Sequence, residues 1–148
     1  MELKTFKKVF SETLISKGFS KRANFYYSFV KDLIIVIGLQ KSSFANGYYI
    51  NIGYVISQLN PSLEQPQDVD GDVRARFSFD KDGKRLDYFD LEEFLENDQD
   101  KLRKQFEENI RKYVEPIVSL DKLKSLLQEN QVMLYQTKLS AKQFLGFE

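Results

Sequence analysis

The side chains that could do chemistry in this chain are carboxylates, amines, guanidinium groups and hydroxyls, because the sequence contains no His and no Cys. The absence of imidazole removes the usual general base and the commonest ligand of transition metals, and it excludes a Ser-His-Asp triad. The absence of thiol excludes a Cys nucleophile, a thiolate metal site and a disulfide. This inventory favours recognition over catalysis, so we expect no catalytic residue, no bound metal and no cofactor.

Acidic residues are concentrated in the middle third of the sequence. The chain has no net charge, but residues 51–100 hold 13 acidic and 5 basic side chains, a local charge of −8. The candidate contacts in this segment are Asp68, Asp70, Asp72 and Asp87. Such a segment could repel nucleic acid or attract a basic partner protein, and Asp68, Asp70 and Asp72 could bind a divalent cation weakly, but a solvated loop face is the favoured interpretation.

The acids between residues 80 and 93 allow two further interpretations, neither of which their spacing favours. A calcium loop that starts at Asp80 needs a glycine at its sixth position and a carboxylate at its twelfth, where this chain has Arg85 and Leu91. Paired carboxylates could do acid–base work, but Asp90 and its acidic neighbours stand at a predicted helix start, where capping explains them. A carboxylate- or metal-dependent enzyme is retained as an alternative function.

Polar and basic side chains beside apolar strands form a second set of candidates. Gln40 and Lys41 leave the end of the most apolar segment, where polar groups can line a site or simply mark the point at which the strand meets solvent. Arg74 and Arg76 share one face of an alternating strand. With the aromatic segment at residues 25–27, these arginines could bind single-stranded nucleic acid. The glycine pattern of such binders is missing and the chain is not basic, so nucleic acid is the less favoured partner.

Apolar spacing predicts an N-terminal helix followed by an antiparallel meander. Residues 2–17 place apolar side chains at helical intervals, and Gly18 then ends the helix. Three strand-like segments follow at residues 25–30, 33–41 and 48–56. The second of them is nearly continuous in apolar residues, which predicts a strand covered on both faces. Residues 57–72 form a polar linker that is too long for a tight turn, so it is either mobile or functional.

The second half of the chain is predicted to hold one more hairpin and several helices. Residues 73–79 alternate as a strand, and Asp82-Gly83 signals a turn before a short return strand at residues 86–89. Signals for helix starts and ends follow at Asp90, residues 97–101, Pro116, Ser119 and Ser140. Residues 131–135 fit a strand or a helix.

These elements predict an α+β fold with an N-terminal helix, an antiparallel sheet of four or five strands, and C-terminal helices packed on the sheet. The length suits a single domain over residues 1–148. The N-terminus lacks the apolar run of a secretory signal, and the longest apolar stretch is too short to span a bilayer. We therefore expect a cytoplasmic protein that does not contact a membrane.

A series of apolar segments, with a few polar residues at fixed places among them, recurs in a known family. The residues concerned are Phe6, Lys17-Gly18-Phe19, Val36–Ser42, Tyr49–Gly53, Arg76 and, after Pro116, the helix Leu120–Leu127. Their order resembles the uncharacterised bacterial family called domain of unknown function 4304, over residues 2–130. The resemblance implies the same single-domain fold and implies no established activity.

The function predicted from the sequence is a non-catalytic protein-binding domain. Its finer form is a bacterial immunity or antitoxin-like protein that blocks its partner with the acidic middle segment. The expected partner is another protein, whose approach should be sensitive to salt. The sequence assigns neither a particular partner nor an oligomeric state.

Overall fold

The computed structural model describes all of residues 1–148 and has the predicted α+β architecture. Its helices are α1 (Leu3–Ser16), α2 (Gln99–Tyr113), α3 (Leu120–Glu129), α4 (Gln131–Tyr135) and α5 (Leu139–Phe144). Its strands are β1 (Ser20–Arg22), β2 (Phe25–Val30), β3 (Leu33–Lys41), β4 (Gly47–Ile56), β5 (Val73–Arg76), β6 (Phe79–Lys81), β7 (Lys84–Leu86) and β8 (Phe89–Asp90). Strands β1 and β8 are elements of the sheet that the sequence did not predict.

The sheet is an antiparallel meander in which strands β1 to β5 lie in sequence order. Strands β3 and β4 form its centre, with a register that runs from Leu33 opposite Ile56 to Lys41 opposite Tyr48. The two-residue strand β8 pairs with the start of β4, on the side where β5 pairs further along. The predicted sheet of four or five strands is thus confirmed, with β8 as a short addition.

One face of the sheet is covered by α1 and α2, and aromatic rings fill the space between them. Phe6 of α1 stacks on Phe89 with ring centroids 4.8 Å apart, and Phe106 of α2 meets Phe10 edge to face at 5.5 Å. All four rings are buried. Such pairs add attraction to the large apolar area that each ring removes from water, so this layer forms the main core.

The opposite face of the sheet is partly covered by residues 57–72, the predicted linker. Leu63 packs on a second, smaller core made by Tyr27, Val36 and Val55, and the Tyr27 hydroxyl donates a hydrogen bond to the carbonyl oxygen of Pro66 at 2.8 Å. Strand β3 is therefore covered on both faces, as its apolar composition predicts. The linker thus covers the part of this face that lies over Tyr27, Val36 and Val55.

Gly53 permits the close approach of the linker to the sheet. A Cβ atom at this position would lie 2.6 Å from the backbone oxygen of Asp68. Real Cβ atoms do not approach backbone oxygen so closely, so any other residue would push the linker away from β4.

The strand predicted over residues 73–79 was wrong in extent. Strand β5 ends at Arg76, and a separate hairpin, β6 and β7, starts at Phe79. The backbone of Ser78 between them is bonded instead to the side chain of Asn109 on α2, which accepts from its N–H at 2.9 Å and donates to its oxygen at 2.8 Å. The predicted turn at Asp82-Gly83 is present, and both of its residues have positive φ.

The helical half follows most of the predicted signals. Ser119 caps α3, and residues 131–135 are helical. The helix predicted to start at Asp90 is instead a single 3-10 turn over Leu91–Glu93, and α2 begins at Gln99, within the predicted interruption at residues 97–101. The predicted cap at Ser140 was wrong by two residues, because α5 begins at Leu139 and the residue before it provides no side-chain cap. No helix of the chain combines the length and the apolar composition that crossing a bilayer requires.

Tyr54 gives the fold a measurable dependence on pH. Its side chain is fully buried, and its hydroxyl donates to the carbonyl oxygen of Tyr113 at 2.6 Å. Burial, helped by the neighbouring Tyr113, raises the pKa of Tyr54 far above its ordinary value of 10.0. The unfolded chain therefore loses this proton at a lower pH than the folded chain does. The stability that the neutral hydroxyl provides is complete below the unfolded pKa and is lost as the pH rises above it.

We expect Tyr54→Phe to be less stable than the wild type by about 1–3 kcal/mol at neutral pH, because the carbonyl of Tyr113 loses its donor. Above about pH 10 this difference should fall by about 1.4 kcal/mol per pH unit, since only the wild type loses a proton from this position on unfolding. Urea unfolding of both proteins between neutral pH and about pH 11 measures it. A difference that stays constant with pH would mean that Tyr54 ionises in the folded protein.

Candidate functional site

The linker covers only part of the sheet face that lies opposite α1 and α2. It leaves uncovered the region near the ends of β3 and β5. Alternation along β4 points Tyr49 and Asn51 to this face, while Ile50 and Ile52 point into the main core. Arg76 lies opposite Asn51 on β5. Gln40, near the end of β3, lies opposite Tyr49. Three adjacent strands thus place polar side chains side by side.

Arg76 is held in one orientation by four neighbours. Its Nε donates to Asn51 Oδ1 at 2.8 Å, and Nη2 donates weakly to Gln40 Oε1 at 3.5 Å. Asn51 Nδ2 donates to the same Gln40 oxygen at 2.9 Å, which fixes both amides. The guanidinium carbon lies 4.2 Å from the centre of the Tyr49 ring, and Nη1 lies 3.5 Å from Asp87 Oδ2. The guanidinium plane is therefore positioned before any partner arrives.

Two further aromatic rings cluster with the Tyr49 ring that contacts this guanidinium. The ring of Phe44 lies 5.5 Å from that of Tyr88 and 6.4 Å from that of Tyr49. Tyr49 and Tyr88 are themselves 6.1 Å apart, so the rings form a triangle. Phe44 is 68% exposed, which is unusual for a side chain of this size. We call the whole group the Arg76 surface: Gln40, Phe44, Tyr49, Asn51, Arg76, Asp87 and Tyr88.

The ion pair between Arg76 and Asp87 is open to solvent. Asp87 is 64% exposed, and the 3.5 Å separation is longer than a charge-assisted hydrogen bond. Exposed pairs of this kind contribute at most about 1 kcal/mol. A carboxylate from a binding partner could therefore replace Asp87 at little cost. The arrangement can recognise a planar anionic group or an aromatic ring, and it offers no activated nucleophile.

A groove adjoins the Arg76 surface at the edge of the sheet. It has a volume of about 600 Å³ and lies between β5 and the region of α4. Its sheet wall contains Asn51, Arg74 and Arg76, and its helical wall contains Val132 and Met133. Asp87 is the one carboxylate in its lining, so acidic groups do not converge there.

Comparison with known proteins identifies a family. The family model described as Domain of unknown function (DUF4304) matches residues 10–120, which is well over half of the chain. The chain belongs to the DUF4304 family. No curated protein and no solved structure matches it significantly.

The matched part of this DUF4304 domain contains every residue of the Arg76 surface. Val132 and Met133 of the groove's helical wall, by contrast, lie on α4, beyond residue 120. The surface therefore belongs to the region that the family shares, and the groove combines it with a C-terminal part outside the match.

Three of the residues predicted as candidates come together in this DUF4304 domain, namely Gln40, Arg76 and Asp87. Arg74 points to the same face but forms no salt bridge. Lys41 lies on the other face, because alternation turns it away from Gln40. Its Nζ donates to the carbonyl oxygen of Ala45 at 3.0 Å.

The acidic candidates of the linker bond to the chain itself. Buried Asp72 accepts from the N–H of Ile56 and from Asn60 Nδ2, both at 2.8 Å. Asp70 accepts from the N–H of Gln67 at 2.7 Å. Asp68 is buried over β3, where a Cβ on Gly38 would come within 2.9 Å of its Oδ1. Asp72 therefore ties the linker to β4, whereas Asp70 bonds within the linker. No group of three or more acidic side chains could hold a metal ion.

Sequence reasoning missed Phe44, Tyr49, Asn51 and Tyr88 as members of the site. Asn51 carried a usable signal, since an amide in the middle of the apolar strand Tyr48–Ile56 needs a polar partner. Alternation then assigns Tyr49 to the same face. Phe44 and Tyr88 lie in loops without periodicity, so only the folded chain could bring them together.

Proposed function

We propose that this DUF4304 domain is a non-catalytic protein-binding domain and that the Arg76 surface contacts its partner. The observation that supports this proposal is the exposed ring of Phe44, which forms a cluster with the half-buried rings of Tyr49 and Tyr88 beside a guanidinium group that is already fixed. Tyrosine and arginine are enriched among the residues that dominate binding energy at protein interfaces. Because Arg76 is held by Asn51 and Tyr49, little side-chain freedom is lost when a partner binds.

The finer form of the proposal is a bacterial immunity or antitoxin-like protein that acts in the cytoplasm by covering a working surface of its partner. Its support is the small size, the absence of His and Cys, and the charge of residues 51–100. Asp68 and Asp72 are buried, so electrostatic attraction of a partner would come from exposed acidic residues later in the chain, such as Asp82, Asp87 and Glu92. Association with a basic partner should then slow as salt is added.

The test is quantitative capture of a partner by the tagged full-length chain in cells that naturally produce it. We expect Phe44→Ala and Arg76→Ala each to reduce recovery of that partner, with an affinity loss of at least about tenfold. Tyr135→Ala is the matched control, because Tyr135 is an exposed aromatic residue of α4 outside the Arg76 surface. Circular dichroism should show that all three variants remain folded.

Two results would contradict the proposal. Equal recovery of the partner by all variants would remove the Arg76 surface from the interface. Failure of the wild-type chain to enrich any protein above an untagged control, at low salt, would argue against protein binding itself.

A further inference from the structure

Strand β5 has a free backbone edge. It is the last strand in the order of the sheet and pairs only with β4. The N–H of Phe77 donates to the oxygen of Ile50, so Phe77, Ala75 and Val73 direct their backbone groups towards β4. Arg74 and Arg76 alternate with these residues, so they must direct their backbone N–H and C=O groups away from the sheet. No hydrogen bond outside the helices and strands involves the N–H or C=O of either.

The groove of about 600 Å³ is lined by Arg74, Ala75 and Arg76, so it lies beside this edge. The free part of the edge is limited to these residues, because the N–H of Lys138 already donates to the oxygen of Asp72 at 3.0 Å. The two sides of the groove differ in character. On the side of the Arg76 surface stand the guanidinium groups of Arg74 and Arg76. On the other side stand Val132, which is 67% exposed and offers apolar surface, and the largely buried Met133 and Tyr113. An extended chain placed in the groove would point alternate side chains to these two sides.

We propose that the edge of β5 binds an extended segment of the partner protein as an additional strand, and that this segment has the pattern acidic–apolar–acidic. The proposal rests on the protein-binding function and specifies how the partner is held. The backbone of Arg74 and Arg76 supplies two donors and two acceptors to the added strand, as in other cases of strand addition. The acidic side chains face the guanidinium groups, and the apolar side chain between them faces the exposed Val132.

Charge decides in favour of an acidic partner segment over a second copy of this chain. Arg74 is exposed and has no salt bridge, so it lacks an opposite charge. If two copies paired through β5, arginines of one edge would face those of the other, and like charges opposite each other destabilise a strand pair. Arg74 and Arg76 form a basic patch within the acidic segment 51–100. They favour a bound strand with acidic side chains, whatever the net charge of the whole partner.

The experiment uses the full-length chain and a capped synthetic peptide that alternates Glu and Val, with a Lys–Val peptide as the control. Amide hydrogen exchange is followed by NMR. Without peptide, the N–H groups of Arg74 and Arg76 should exchange fast, because nothing pairs them. The Glu–Val peptide should slow their exchange at least about tenfold, and the Lys–Val peptide should not. Arg74→Glu should reduce or reverse this preference between the peptides.

A pair of variants separates the backbone contribution from the charge. Arg74→Thr and Arg74→Pro both remove the guanidinium, but only proline also removes the outward N–H. Neither disturbs the bonds to β4, since proline is accepted at such edge positions. We expect Arg74→Pro to bind the Glu–Val peptide several-fold more weakly than Arg74→Thr does.

Strand addition would be overturned if millimolar Glu–Val peptide left the exchange of Arg74 and Arg76 unchanged, or if the two variants bound it equally. The result for the natural partner separates this proposal from the general one. A partner lost with Arg76→Ala but retained with Arg74→Pro would leave protein binding by the Arg76 surface in place and exclude the added strand.

Discussion

Replacement of Phe106 with Ala should lower the free energy of unfolding by about 3–5 kcal/mol. Phe106 is fully buried on α2, between the helix layer and the sheet. Its ring contacts four other rings at centroid distances from 5.5 to 6.3 Å, those of Phe6, Phe10, Phe77 and Phe79. Removing it takes away this contact area and leaves a cavity that rigid aromatic neighbours cannot close. Both terms add to the loss of stability.

Urea unfolding followed by circular dichroism measures the effect. Phe29→Ala is the control, because the side chain of Phe29 is 53% exposed on β2 and leaves no cavity. It should change stability by less than about 1 kcal/mol. If Phe106→Ala were no more destabilising than Phe29→Ala, the aromatic layer would not be the main core.

Replacement of Asn109 with Leu should lower the free energy of unfolding by about 2–5 kcal/mol, even though Leu is apolar and similar in size. The Asn109 side chain accepts from the N–H of Ser78 at 2.9 Å and donates to the oxygens of Ser78 and Gln105, both at 2.8 Å. Leucine would leave both backbone groups of Ser78 without a partner. Each buried unsatisfied group costs about 1–3 kcal/mol.

Glu108→Leu is the matched control for Asn109→Leu, because it introduces the same residue at the adjacent, exposed position of α2. It should change stability by no more than about 0.5 kcal/mol. Hydrogen exchange gives a local measurement, since the N–H of Ser78 should lose its protection in Asn109→Leu. Protection that persists would show that another group bonds Ser78.

The side chains of Asn109 and Gln105 substitute for a neighbouring strand. Gln105 accepts from the N–H of Asp80 at 3.1 Å and donates to its oxygen at 3.3 Å, one helical turn before Asn109. The two amides thus hold the chain where β5 ends and the β6–β7 hairpin begins. Arg76 and Asp87 lie on either side of this attachment along the chain, so we infer that it helps to position the two members of their ion pair.

The sequence by itself determined the elements that depend on local patterns. Helix α1 with its end at Gly18 and the cap at Ser119 follow from interactions within a few residues, and the continuous apolar composition of β3 marks it locally as a strand. Alternation also assigned Arg74 and Arg76 to one face of β5 before any fold was known. The absence of His and Cys limited the chemistry in the same direct way.

Only the tertiary structure decided which of those side chains meet. Gln40, Asn51 and Arg76 touch because the registers of β3, β4 and β5 align them, and up to 36 residues of chain separate these partners. The same applies to Asn109 and Ser78, 31 residues apart, whose contact ends a strand that alternation alone would have continued. Register and helix placement are set by the packing of the whole core, to which every distant segment contributes. A pattern read over a few neighbouring residues contains no information about such pairs.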